Sequence, residues 1–333
     1  MDALSEALIA VRMTSALVLN AEFTAPWGFT SPDPATLLPL LAPEAERLVM
    51  YHLVIEGEAR AQIAGTPEVS LMPGDVAIIP HGDAHTFSNG SPPRLLDLTS
   101  DVFSNASDLS LTKFGGGGAM TRFVCGYFGC ERRAERLFLA GLPRMIKINI
   151  RGDAAGQWLE HSMRHLASEV GDTRPGNRVL LSKMAEALFI EALRRYMEQL
   201  TPEQTGWLAA ARDPVVGRAL ALLHRDPRHP WSVAELAAQI GASRTVLAER
   251  FAHFLGDSPL GYLARWRMLL AARLLETTRN TIVQIAAEVG YESEAAFSRA
   301  FRREFSLPPA RYRKQVRNSG SAGHQDSTSS ATA

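Results

Sequence analysis

Cysteine is nearly absent: the 333-residue chain carries only Cys125 and Cys130. Two thiols cannot staple a chain of this length, so a disulfide-built secreted scaffold is excluded and a reducing compartment is expected. Net charge is absent too, with 35 basic side chains set against 35 acidic ones. No apolar run approaches the ~20 residues of a membrane-spanning helix. The opening residues are acidic and lack the basic-then-apolar pattern of an export signal. Together these absences give the expectation of a cytoplasmic protein with no membrane partner. The length suits about two domains.

The neutrality is an average over two unlike parts. Residues 214–317 hold 16 Lys and Arg against 9 Asp and Glu, a surplus of seven positive charges. Because the whole chain is neutral, the remainder carries seven negative charges. A polyanion partner is therefore expected for the C-terminal part alone.

The motif there starts with Thr281-Ile-Val-Gln-Ile-Ala-Ala-Glu-Val-Gly290. Thr281 has the chemistry of an N-cap, Ile282, Ile285, Ala286 and Val289 fall on one face, and Gly290 is a stop signal. A second helix follows from Ser293. Phe297, Phe301 and Phe305 recur at the i, i+4, i+8 spacing of an apolar stripe, with Ala295, Arg299 and Arg302 on the other side. A solvated basic face would look the same in isolation. Short helix, glycine turn and second helix form a helix-turn-helix pattern.

The pattern occurs twice. Ala237 matches Ala286 and Gly241 matches Gly290 at an offset of 49. One extra turn residue makes the offset 50 for Ser243 with Ser293, Leu247 with Phe297, Phe251 with Phe301, Pro259 with Pro309 and Tyr262 with Tyr312. A repeat of this length indicates two copies of one structural unit.

On these residues, 214–317 resembles the DNA-binding domain of the AraC/XylS family of transcription regulators. The signature reads Ile285-Ala-Ala-Glu-Val-Gly-Tyr, Phe297-Ser-Arg-Ala-Phe-Arg-Arg-Glu-Phe and Pro308-Pro-Ala-Arg-Tyr-Arg. The resemblance implies double-stranded DNA as partner, with the second helix of each unit in the major groove. Expected DNA contacts in the second unit are Glu294, Ala295, Ser298, Arg299, Arg302 and Arg303. Ala295 permits close approach, Arg299 suits a guanine edge, and Arg302 and Arg303 suit phosphates. In the first unit they are Arg244, Thr245, Ala248 and Glu249, with Glu249 either accepting from a cytosine amine or orienting Arg250 or Arg244. Glu249 stands where the family often has arginine.

The N-terminal part reads as short β-segments. Met50 to Ile63 alternates about a glycine turn, and Val69 to His85 adds strand, Pro-Gly-Asp turn, strand and Pro-x-Gly turn. This is an antiparallel barrel pattern. It resembles the second motif of cupins: Gly74, five residues, Pro80-His81-Gly82, two residues, His85, three residues, Asn89. The first cupin motif is eroded. Its ligand places hold Glu44, Glu46 and Met50 in one register, or Met50, His52 and Glu56 in another, and neither gives His-x-His. No metal or other cofactor is therefore assigned. Candidate lining residues of a ligand pocket inside the barrel are Trp27, His52, Val54, Glu56, His81 and His85.

Cys125 and Cys130 are candidate redox residues, able to approach across a hairpin, with Arg132 and Arg133 nearby to lower a thiol pKa. Gly115 to Gly118 is expected to be a flexible loop, lacking the strand–helix context of a phosphate-binding turn. Residues 156–200 carry two apolar stripes, a helical hairpin with more apolar surface than it can bury alone. It must pack on the barrel or on a partner chain, and the family resemblance implies a homodimer contact there.

The fold class is α+β and multidomain. It comprises a cupin-like antiparallel β-barrel sensor over 8–150, a helical hairpin over 151–200 and a linker over 201–213. An all-α domain with helix-turn-helix units at 232–254 and 281–305 spans 214–317, and a disordered tail fills 318–333. The expected function is a sequence-specific transcription regulator, not an enzyme, with DNA, a small-molecule or redox effector, a second copy and RNA polymerase as partners. The competing readings are a cupin oxygenase or isomerase fused to a DNA-binding module, and an architectural DNA-binding protein with a non-sensing barrel.

Overall fold

A computed structural model describes residues 2–11, 13–90, 95–96, 111–131, 139, 141–168, 175–201 and 203–322. The chain divides into two compact units, Arg12–Thr201 and a discontinuous unit of Met1–Val11 with Pro202–Ala333. Among the described residues, no helix is long and apolar enough to cross a membrane.

The first unit is built on two sheets. Strands β1 (Met13–Thr24), β3 (Arg47–Glu56), β6 (Asp75–Ile79), β9 (Thr112–Gly115), β10 (Met120–Cys130) and β11 (Ile146–Asn149) form one, in the order β11-β6-β3-β10-β1-β9. Strands β2 (Trp27–Ser31), β4 (Ala59–Ile63), β5 (Val69–Leu71), β7 (His85–Asn89) and β8 (Leu95–Leu96) form the other, in the order β5-β4-β7-β2-β8. The expected closed antiparallel barrel is corrected on two counts. The layers are separate sheets with free end strands, and β1–β9 and β2–β8 pair in parallel.

Burial along the strands explains the layering. β4 alternates buried and exposed residues, as a strand with one wet face must. β3 is buried at every position from Leu48 to Ile55, so both of its faces are covered. The inner face meets the second sheet. On the outer side of the same sheet, Phe128 of β10 packs at 4.7 Å on Phe189 of a long helix. That helix, α4 (Asn177–Gln199), pairs with α3 (Ala154–Ser168), so the helical hairpin is present and belongs to this unit. Its expected break runs from Gly171 to Gly176; residues 175–176 form a turn, and 171–174 lie outside the described residues. Helix α2 (Pro34–Leu41), capped by Asp33, closes a smaller cluster with Leu37, Leu48, Met50 and Ile79.

The second unit is helical: α5 (Trp207–Arg212), α6 (Val216–Arg225), α7 (Val233–Gln239), α8 (Arg244–Leu255), α9 (Pro259–Thr277), α10 (Ile282–Glu288), α11 (Glu294–Phe305) and α12 (Pro309–Ala322). The expected linker over 201–213 contains α5, whose Trp207, Leu208, Ala209 and Ala210 are all buried. The expected tail begins later than 318, because α12 runs to Ala322, and residues 323–333 lie outside the described residues.

Helix α1 (Ala3–Ala10) also belongs to this second unit rather than to the sheets. Ala3, Ala7 and Ala10 form its buried i, i+4, i+7 stripe. Arg273 of α9 donates to the carbonyl of Ile9 at 2.7 Å, satisfying a C-terminal acceptor that the helix itself cannot pair.

Candidate nucleic-acid interface

The repeated residues occupy equivalent places in two helix pairs, α7–α8 and α10–α11. Leu247 and Phe251 in the first, and Phe297 and Phe301 in the second, are all 0% exposed. Ser243 and Ser293 cap α8 and α11, accepting from Val246 N–H and Ala296 N–H, both at 3.2 Å. Thr281 and Gln284 form a reciprocal capping box on α10. Each turn closes with the same bond, Ala242 N–H to the Ala237 carbonyl at 2.9 Å and Tyr291 N–H to the Ala286 carbonyl at 2.8 Å. Gly241 at φ +69° and Gly290 at φ +80° supply the left-handed residue that this ending requires.

Anchoring one face leaves the other in water. On α8, Arg244, Thr245, Ala248 and Glu249 are exposed. On α11, Glu294, Ala295, Arg299, Arg302 and Arg303 are exposed and Ser298 is half-buried. Every DNA-contact candidate thus lies on the solvent side of one of two equivalent helices. Glu249 does not orient Arg250, whose guanidinium is instead ion-paired with Asp213. Asp213 in turn accepts from the backbone of Val215 and Val216 at the start of α6.

A buried polar network ties α5 and α6 to α9. Trp207 Nε1 donates to the Tyr262 hydroxyl at 2.9 Å, and that hydroxyl is hydrogen-bonded to His224 Nε2 at 2.8 Å. His224 also stacks on Trp266 with ring centroids 3.7 Å apart. Burial pushes its pKa down to about 3, so the ring is neutral at ordinary pH.

In the sheet unit, the candidate pocket residues do not converge on one space. Trp27, Val54, His52 and His85 are 1%, 0%, 3% and 1% exposed and sit in or against a packed interior. Phe23 stacks on Trp27 at 4.7 Å, Phe29 on Phe87 at 5.4 Å, and His52 lies 4.5 Å from Phe87. Glu56 lies at the far end of β3, half-buried, with its charge felt by Arg151. His81 is outside, on a cleft of about 460 Å³ between α2, the start of β3 and the β6–β7 turn. That cleft is lined by Asp33, Leu38, Arg47, Leu48, Pro80 and His81 among others. Bulky rings fill the interior around Trp27, His52 and His85.

His52 and His85 form a neutral pair. His85 Nδ1 donates to the Asp83 carbonyl at 2.7 Å, which leaves its Nε2 as an acceptor for His52 Nε2–H at 2.9 Å. Burial lowers both pKa values, His52 well below the usual imidazole range and His85 to about 4. His52 Nδ1 is buried without a partner. Among the described residues, no three His, Cys, Asp or Glu side chains are grouped to hold a metal ion. His52 and His85 meet, while Glu56 stands at the end of β3.

The cysteine expectation is corrected by topology. Cys125 and Cys130 lie on one strand, β10, not across a hairpin. Five residues of strand separate them by about 16 Å, and an odd spacing turns them to opposite faces. A disulfide needs Cα atoms roughly 4.4–6.8 Å apart. Both thiols are buried, and burial drives the Cys125 pKa up rather than down. Arg132 and Arg133 lie outside the described residues. The glycine run is also tied down: Gly116 N–H and Gly118 N–H donate to the carbonyls of Thr24 and Ala25, at 2.7 and 2.9 Å.

A Cupin family model matches residues 2–198, and a helix-turn-helix domain model matches residues 236–315. The chain is 31% identical over 322 residues to the HTH-type transcriptional regulator AlkR of Acinetobacter baylyi, covering 95% of this chain and 100% of that protein. It is 33% identical over 273 residues to a putative AraC-like transcription regulator of Streptomyces lividans, covering 81% and 88%. It is 28% identical over 271 residues to the RCS-specific HTH-type transcriptional activator RclR of Escherichia coli, covering 81% and 86%.

Proposed function

The chain belongs to the AraC-like DNA-binding transcription regulators, with a cupin half ahead of its helix-turn-helix half, and we propose that it reads its operator with two helices, α8 and α11. The observation that carries this reading is the duplicated, serine-capped helix pair, each with its polar and small residues turned to solvent. In α11, Ala295 admits the backbone to the groove floor and Arg299 makes a bidentate contact to guanine. Glu294 and Ser298 face the same groove, and Arg302 and Arg303 fix the register through phosphates. In α8, Thr245 and Ala248 contact base edges, Glu249 accepts from a cytosine amine, and Arg244 takes a phosphate.

The protein is a regulator and not an enzyme. Its sheet unit supplies the input, with the outer cleft as the entry point for a small molecule, because the interior is occupied by aromatic side chains. Binding there shifts operator affinity, or engagement of RNA polymerase, by favouring one state of the chain over another. Trp158 is 65% exposed on α3, and Val179, Leu180 and Ile190 are 65%, 49% and 39% exposed on α4. Contact with a second copy through this hairpin would cover them.

The test is selection from a random DNA library with wild type and Arg299→Ala at one stated salt concentration. A defined motif, relaxed at one position by the substitution at a cost of about 1–3 kcal/mol, supports base reading by α11. Equal weakening on every sequence would reduce Arg299 to a phosphate contact and defeat the reading. For the input, a Leu38→Glu chain that keeps wild-type basal DNA affinity should lose any small-molecule response of a reporter. A surviving response would place the sensor elsewhere.

A further inference from the structure

The two helix pairs meet at a joint that the repeat does not account for. Arg267 stands midway along α9. Its Nε donates to the carbonyl of Pro227 at 2.7 Å, and its Nη2 donates to the carbonyl of His229 at 3.0 Å. Both carbonyls belong to the loop that leads into α7, in the first pair. The same guanidinium lies over the ring of Tyr291, 5.9 Å from its centroid, in the turn of the second pair. One side chain therefore ties the entrance of one pair to the turn of the other.

Both partners of Arg267 are stiff. Trp231 Nε1 donates to the Asp226 carbonyl at 2.9 Å, Trp231 N–H donates to the His229 carbonyl at 2.8 Å, and Asp226 accepts from His229 N–H at 3.2 Å. On the other side, a Cβ on Gly290 would come within 2.9 Å of Arg228 Cα, 3.0 Å of the Arg228 carbonyl and 3.0 Å of Arg267 Nη2. Gly241, its counterpart in the first pair, meets nothing within 4 Å. Only the second turn is pressed against the other half of the unit.

We propose that Arg267 is a positioning residue that sets the separation and register of α8 and α11 on DNA, so that it governs which spacing between the two half-elements the protein accepts. It does this without touching DNA, since its guanidinium is held between two protein carbonyls and the ring of Tyr291. A guanidinium suits the role because its planar fork reaches two carbonyls while its face covers a ring, which an ammonium cannot do. The proposal rests on the reading that both helices contact DNA.

The test uses the full chain and its selected operator. Competition binding at fixed salt compares that operator with one carrying a single inserted base pair between the segments protected by α8 and by α11. Wild type is expected to discriminate by about tenfold or more, the scale of one lost base contact. In Arg267→Met the ratio is expected to fall to roughly threefold or less, with Arg267→Lys between. Tyr291→Leu loosens the same joint without removing a buried donor and is expected to lower the ratio as well, which keeps the test open if Arg267→Met does not fold. A wild-type ratio retained in both Arg267→Lys and Tyr291→Leu would overturn the proposal while leaving the two-helix reading intact. No spacing dependence in wild type itself would remove the two-helix reading and the proposal with it.

Discussion

The two helix pairs share a backbone plan and differ in what they present and in how they are held. The first turns Thr245, Ala248 and Glu249 to solvent, with Arg250 withdrawn into an ion pair with Asp213. The second turns out Ala295, Arg299, Arg302 and Arg303, while Phe297, Phe301, Phe305 and Tyr312 form a continuous cluster of tilted and edge-on rings behind them. Where the second pair has Phe297 and Phe305, the first has Leu247 and Leu255. One copy is thus an aromatic, cationic head suited to affinity. The other is a leaner head, and if it reads DNA as proposed, its exposed Glu249 would add selectivity at the expense of attraction to phosphate. Duplication kept the scaffold and let the two faces diverge.

The largest expected effect is in the cores. Phe297→Ala should destabilise the helical unit by about 3–5 kcal/mol and Leu247→Ala by about 2–5 kcal/mol, read by urea unfolding. A clearly costlier Leu247→Ala would reverse the ranking of the two pairs. The turns come next. Gly241→Ala should cost about 1–2 kcal/mol, the penalty for a left-handed alanine. Gly290→Ala should cost a further 1–3 kcal/mol, roughly, from overpacking against the backbone of Arg228. Equal costs at the two glycines would mean that the joint is slack.

A comparison between the units gives a pH prediction. Burial depresses the His85 pKa from 6.5 to about 4, and that of His224 from 6.5 to about 3. A histidine held neutral in the native state binds fewer protons than in the unfolded chain. Its stabilising contribution is therefore complete above about pH 6.5 and is lost as pH falls toward the folded value. For His85 the full loss is about 3 kcal/mol. Urea unfolding at pH 7 and at pH 4.5 should show both units weakened at the lower pH. Stability unchanged between the two would mean that neither imidazole is held neutral by the fold. The smallest effect concerns DNA. Arg302→Ala should weaken binding uniformly across sequences and lower the salt slope by about one, where Arg299→Ala relaxes one base position.

Much of this was legible in the sequence because it is local. Serine and threonine caps and the Phe297–Phe301–Phe305 stripe depend on residues a few positions apart, and both are present in the structure. The strands of the first unit could be read from alternation, as with Ala59 to Ile63. What could not be read depends on distant packing. Trp27, His52 and His85 could be named as pocket candidates, but no local pattern says that Phe23, Phe29 and Phe87 fill the space around them. The helix of residues 3–10 carries only an alanine stripe, and its place against α6 and α9 has no local signal. Arg267 looks like one more cation on a helix until the carbonyls of Pro227 and His229 are seen beside it.

The central claim is that both helices read bases and that they read different ones. The most direct measurement is library selection repeated with Glu249→Ala beside wild type and Arg299→Ala, at one salt concentration. The account predicts that each variant loses preference at its own position in the selected site, with Glu249→Ala leaving affinity nearly unchanged. A Glu249→Ala motif identical to that of wild type, or altered at the position that Arg299→Ala alters, would contradict it.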